Sequence, residues 1–182
     1  MRLMPLVPLL ALAACEAPRP AAPTRDVLTL RQVAAETSGR PYECTKYEAE
    51  TDSCEAIARW SIHGNAVHAE TLFALNTVPP AKVRVRSRHR IDAQGRSCGF
   101  IGTPQVTVQS AEPAETEKAI AGRVAAALAA RMATACATFI RAGDGYMTEV
   151  RDAQGHLMEG GTARARFFER PRRLRPVQMQ AP

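Results

Sequence analysis

The sequence predicts an α+β domain, an antiparallel sheet of about six or seven strands packed against one long Ala-rich helix and cross-linked by two disulfides. Three observations carry that expectation. Period-two alternation runs outward on both sides of Gly64-Asn65; Ile120, Val124, Leu128, Met132, Ala135 and Phe139 recur at three- and four-residue spacing after Pro113; and Cys44, Cys54, Cys98 and Cys136 form an even set.

Taken in chain order, Val27 to Ser38 reads equally as a short helix ending at Gly39 or as an extended segment. The hairpin that follows can be registered by hand. With Gly64 and Asn65 as a type II′ loop, Ile62 faces Val67, Trp60 faces Ala69 and Ala58 faces Thr71 on an apolar face that Phe73 and Leu75 extend. On the other face Ser61 meets His68, and Arg59 meets Glu70 as an opposite-charge pair. A third strand sets Val83, Val85 and Ile91 between cations and ends at Asp92-Ala93-Gln94-Gly95. The same four residues recur at Asp152-Ala153-Gln154-Gly155, which reads as reuse of a turn whose glycine takes the left-handed conformation, not as a domain repeat. Ser97 to Ile101, Gln105 to Gln109, Tyr146 to Arg151, His156 to Glu159 and Thr162 to Phe168 are the remaining strand candidates. Between them the helix starts near Pro113, gathers Glu112, Glu115 and Glu117 where its dipole favours negative charge, and is expected to stop before Gly143.

Four cysteines allow three connectivities. Cys44 with Cys54 and Cys98 with Cys136 is the favoured one, because the first pair closes a short local loop; the nested and crossed pairings stay open. A bond from Cys98 to Cys136 would staple strand to helix. A zinc site is disfavoured because such ligands come in close pairs and the gaps here are wide.

The amino-terminal residues differ in composition from the rest. Arg2 supplies a positive start, and Leu3 to Ala14 form an apolar run broken only by Pro5 and Pro8, the pattern of a secretory signal and too short for the roughly 20 apolar residues of a spanning helix. Leu12-Ala13-Ala14-Cys15, an aliphatic residue and two small ones before cysteine, resembles the lipobox of bacterial lipoproteins. The resemblance covers the signal alone. It implies cleavage before Cys15, diacylglycerol on the Cys15 thiol and acylation of the freed amine, hence stable attachment to a membrane in an oxidising compartment. By the same resemblance, Glu16 implies the outer membrane, facing the periplasm. Residues 1–14 are then the leader and 15–25 the lipidated cysteine with a tether containing Pro18, Pro20 and Pro23. At about 3.1 Å per residue that tether lifts the domain roughly 28 Å off the bilayer. Residues 26–169 form a single α+β domain, and 170–182 a basic tail in which Arg170, Arg172, Arg173 and Arg175 stand among Pro171 and Pro176, read as extended and solvated.

The chain of 182 residues carries 24 Lys and Arg against 18 Asp and Glu. Loss of the leader removes only Arg2, so the mature chain keeps a net positive charge that favours anionic partners. Lys82, Arg84, Arg86, Arg88 and Arg90 stand at every second position, so one strand presents them all on one face over roughly 27 Å. This is the anion-binding candidate, with a solvated face balanced by acids from neighbouring strands as the plainer reading. No aromatic lies among these cations to stack bases, so nucleic acid is not an expected partner.

Gly95-Arg96-Ser97-Cys98-Gly99 matches the letters of a nucleophile elbow but is followed by strand rather than helix, and His63, His68, His89 and His156 lack metal-ligand spacing. No cofactor, metal or catalytic residue is therefore expected. The function expected is non-catalytic: a lipid-anchored binding or assembly module for an envelope protein complex or an anionic envelope component. An inhibitor of a hydrolase fits the same features. A small periplasmic hydrolase is the rival class, and a cleft joining a serine or carboxylate to His68 or His156 would favour it.

Overall fold

The computed structural model describes residues 25–78 and 80–177. The leader, Cys15 and the tether up to Thr24 lie outside the described residues, as do positions 178–182 of the basic tail. Thirteen strands and two helices follow in order: β1 (Val27–Leu28), α1 (Leu30–Glu36), β2 (Tyr42–Thr45), β3 (Ser53–Cys54), β4 (Ala56–His63), β5 (Ala66–Leu75), β6 (Ala81–Ile91), β7 (Ser97–Phe100), β8 (Gln105–Gln109), α2 (Ala114–Met132), β9 (Cys136–Ala142), β10 (Gly145–Arg151), β11 (Leu157–Phe168), β12 (Arg173–Leu174) and β13 (Pro176–Val177). All but β3 and β12 join one 11-stranded sheet. The protein is thus mostly β, with one large mixed sheet and two helices, in place of the expected sheet of six or seven strands against one long helix.

The sheet closes on itself. Strands β5, β4, β2, β11, β10, β9, β7 and β6 pair in that order, each antiparallel to the next, and β6 returns to β5. Closure removes the edges that an open sheet would leave unpaired. Its interior follows from alternation: Trp60 and Ile62 from β4, Val67 from β5, Phe139 from β9, Tyr146 from β10, and Ala165 and Phe167 from β11 meet in one cluster. The rings of Trp60 and Phe139, from opposite sides of the circuit, stand 6.3 Å apart.

The hairpin register is the one expected, with Ile62 opposite Val67, Trp60 opposite Ala69 and Arg59 opposite Glu70. Both Asp-Ala-Gln-Gly turns form in the same way. The Asp92 and Asp152 carboxylates accept from the backbone N–H of Gln94 and Gln154 at 3.0 and 2.9 Å, and Gly95 and Gly155 take φ of +77° and +85°. The candidates His156 to Glu159 and Thr162 to Phe168 merge into β11, joined through Gly160 at φ +59°.

Helices close the two ends. The segment Val27 to Ser38 is both things the sequence allowed, two extended residues and then α1, whose Thr29 and Gln32 form a capping box. Leu28, Leu30 and Val33 plug the interior cluster, Leu30 N–H donates to Gly95 O at 2.9 Å, and Arg31 donates to Gly64 O at 2.6 Å. Arg141 pins the far end of α1, donating to the two Glu36 oxygens at 2.9 and 2.6 Å, and to Asp26 at 2.8 Å. At the other end α2 lays Ile120, Val124 and Leu128 against Leu75, Ala81, Val83, Val85 and Val108, although no α2 residue is itself buried.

The expected helix overran. It ends at Met132, and Cys136–Ala142 is strand β9. Phe139 satisfies helical spacing from Met132, but it also alternates inward from a strand in which Thr138 and Ile140 flank it, and pairing on both edges decides for the strand. The Cys98–Cys136 bond therefore joins two strands rather than a strand to a helix. Residues 171–177 of the basic segment are extended but lie on the domain. Here β12 runs parallel to β3 and β13 parallel to β5, and Arg175 donates to the carbonyls of Ser53 and Lys46 at 3.1 and 2.7 Å. They cover the third cluster, where Cys44, Cys54 and Ile57 pack with Tyr42, Tyr47, Phe168 and Leu174.

Candidate anion-binding face

Strands β4, β5 and β6 carry different chemistry on their two sides. Ala81, Val83 and Val85 are buried inward, while Lys82, Arg84, Arg86, Arg88 and Arg90 are all exposed outward, on the single face the alternation requires. Register then arranges the outer face in rows. Arg59, Glu70 and Arg86 form one row across the three strands, Ser61, His68 and Arg88 the next, and His63, Ala66 and Arg90 the third. The first two rows floor a groove of about 620 Å³, walled by Pro41 on one side and by Ile101 to Thr103 with Gln105 on the other.

Glu70 is the acid at the centre of this groove. It accepts from Arg86 Nε at 2.7 Å and stands 3.9 Å from Arg84, and these guanidinium groups hold its carboxyl below the usual range. The ion pair expected with Arg59 goes instead to the strand on the other side. Arg59 keeps the predicted register opposite Glu70, but its guanidinium lies 5.1 Å over the Tyr42 ring. One carboxylate thus serves Arg84 and Arg86, while among the described residues Lys82, Arg88 and Arg90 have no carboxylate within ion-pair distance.

The hairpin histidines join the same surface. The His63 and His68 rings lie 4.9 Å apart, and Ser61 Oγ is 3.0 Å from His63 Nε2. His89 alternates to the inside, where it meets Ser87 Oγ at 2.9 Å and the Phe100 ring at 4.8 Å; burial lowers its pKa, so it adds no charge to the outer face at neutral pH. His156 sits far off in the turn before β11, 3.4 Å from Asp152.

The other singled-out residues fall elsewhere. Both disulfides form as favoured, Cys44 with Cys54 and Cys98 with Cys136. Asp92 lies close enough to Cys98 and Cys136 for their donor atoms to fall within 4.8 Å, but both sulfurs are consumed by the disulfide and cannot also bind a metal as thiolates. Ser97 is on β7, opposite Ile91 and Ala137, in an extended ladder with no helix after it. Arg59, Ser61 and the wall from Ile101 to Gln105 were not singled out as anion-binding. Sequence offered the hairpin register that links Ser61 to His68, but nothing that brings Pro41 or Thr103 alongside.

No protein-family model matches the chain, and neither a curated protein nor a solved structure matches it at a significant level.

Proposed function

We propose that this chain is a non-catalytic, lipid-anchored module of the bacterial envelope that binds an anionic component through the outer face of β4, β5 and β6. Acyl chains on Cys15 would hold it to the outer membrane, as the lipobox-like leader implies. The observation that carries the binding reading is the charge balance of this face. Arg88 and Arg90 project in line with Arg84 and Arg86, and the one acid on that face among the described residues is already engaged by two guanidinium groups. Exposed cations in such an array repel one another and contribute little to stability, so an anionic ligand is what the array favours.

The test reverses two of the three unmatched charges. Arg88→Glu combined with Arg90→Glu should reduce cosedimentation with anionic vesicles or purified envelope polymers by roughly tenfold at low salt, and the residual binding should lose its salt dependence. Binding that is unchanged by the substitutions and insensitive to salt rules the face out.

A hydrolase remains the second reading because of one contact, Ser61 Oγ to His63 Nε2 at 3.0 Å beside the groove. Among the described residues no carboxylate orients the His63 ring, as a triad would require. Ester hydrolysis abolished by Ser61→Ala would favour it over the binding role.

A further inference from the structure

The groove has a built row as well as a charge. Ser61, His68 and Arg88 come from three adjacent strands in direct register, so their side chains rise side by side from one line across the sheet. Thr103 and Gln105 add hydroxyl and amide groups from the wall. We infer that this row is a seat for a phosphoryl group, in a ligand that presents phosphates along the direction of β6.

This inference rests on the anion-binding reading and narrows it. A planar carboxylate offers two oxygens in one plane, which a single arginine fork satisfies, whereas a phosphate presents its oxygens tetrahedrally and suits donors arriving from several sides. The row supplies them: a guanidinium from β6, an imidazole from β5 and a hydroxyl from β4, with Arg86 one row below. The groove is walled on both sides, which suits a chain-like ligand better than a flat bilayer. Arg84, Arg86, Arg88 and Arg90 form the cationic line along β6 at about 6.8 Å per step, so phosphates at intervals along one chain can each meet a guanidinium group.

Glu70 tunes the site. Its carboxylate stands in the row below and holds Arg86 by a 2.7 Å hydrogen bond, so it both repels an incoming phosphate and withholds one donor. The neutral amide of Glu70→Gln removes the repulsion and weakens the hold on Arg86 from a charge-assisted to a neutral hydrogen bond.

The experiment titrates the full chain in uncharged detergent by calorimetry with two probes of matched charge, inorganic polyphosphate and poly-glutamate. Polyphosphate is expected to bind at least tenfold more tightly. Ser61→Ala with Arg88→Gln should erase that preference, and Glu70→Gln should raise polyphosphate affinity several-fold; circular dichroism and absence of free thiols establish that each variant is folded. Equal affinity for both probes, or a double variant that weakens both alike, overturns the phosphoryl seat while leaving a face that reads charge alone. Binding of neither probe overturns both this inference and the anion-binding function.

Discussion

The circuit of strands is held in two different ways on its two sides. On one side, β5 pairs along its whole length with β6 and along most of it with β4, through one tight turn and one short loop. On the other side the closing pair is short: only Ser97 and Cys98 of β7 register with Ala137 and Cys136 of β9. The rest of that β9 edge is filled by β1, with Val27 opposite Ile140 and Leu28 opposite Phe139. A long local ladder needs no further support. A seam assembled from three distant pieces of chain gains its persistence from the Cys98–Cys136 bond and from α1, which follows β1 directly into the mouth.

Removing the seam bond is the most damaging test of this contrast. Cys98 and Cys136 are 38 residues apart, so the bond contributes about 4 kcal/mol through the unfolded chain, and Cys98→Ala with Cys136→Ala should lower Tm by about 10 °C. Hydrogen exchange decides whether the loss is local. Protection should fall first in β7, β9 and β1 and last in β4 to β6; uniform loss would mean the two sides are equally dependent on the bond. The Cys44–Cys54 bond, 10 residues apart, should cost less, about 3 kcal/mol.

Two glycines sharpen the comparison at smaller cost. Gly64 turns the hairpin at φ +59° with nothing within 4 Å of an added Cβ, so Gly64→Ala should cost only about 1 kcal/mol of backbone strain. Gly95 has φ +77°, and a Cβ there would meet the Thr29 side chain at 2.6 Å. Gly95→Ala should therefore cost about 3 kcal/mol and unseat the capping residue of α1, which urea titration of the two variants will rank.

A last effect lies in the interior, and its size depends on pH. Glu43 of β2 points inward beside Phe167 and accepts from Trp60 Nε1 at 2.8 Å, yet the loss of solvent around its carboxyl outweighs that bond and raises its pKa to about 7. An acid whose folded pKa lies above its unfolded one penalises folding when ionised. The penalty should be absent below about pH 4.5, grow between there and about pH 7, and hold constant above. Glu43→Gln keeps an acceptor for Trp60, so it should raise Tm by a few degrees at pH 8 and leave it unchanged at pH 4. An equal shift at both values would contradict the assignment.

The candidate face was legible in sequence as far as local rules reach. Alternation along β6 placed Lys82, Arg84, Arg86, Arg88 and Arg90 on one side, and Gly64-Asn65 set the register that lines up Ser61 with His68. What could not be read was the third neighbour. Arg59 and Arg86 both flank Glu70, and only the β5–β6 register together with the position of the Tyr42 ring assigns the carboxylate to Arg86. The groove walls depend on chain segments far from the hairpin, Pro41 before β2, Ile101 to Thr103 between β7 and β8, and Gln105 at the start of β8.

By itself the sequence determined the features whose energy comes from neighbours along the chain: the hairpin register, the two Asp-Ala-Gln-Gly turns, the start of α2 and the sidedness of β6. Only the tertiary structure decided where α2 ends, whether Phe139 belongs to a helix or a strand, and that Arg172 to Arg175 lie on the domain instead of in solvent. Those choices turn on partners more than a hundred residues away, as when Leu28 pairs with Phe139 or Arg175 reaches Lys46. Intrinsic preferences of a fraction of a kcal/mol per residue are outweighed there by paired strands and buried rings.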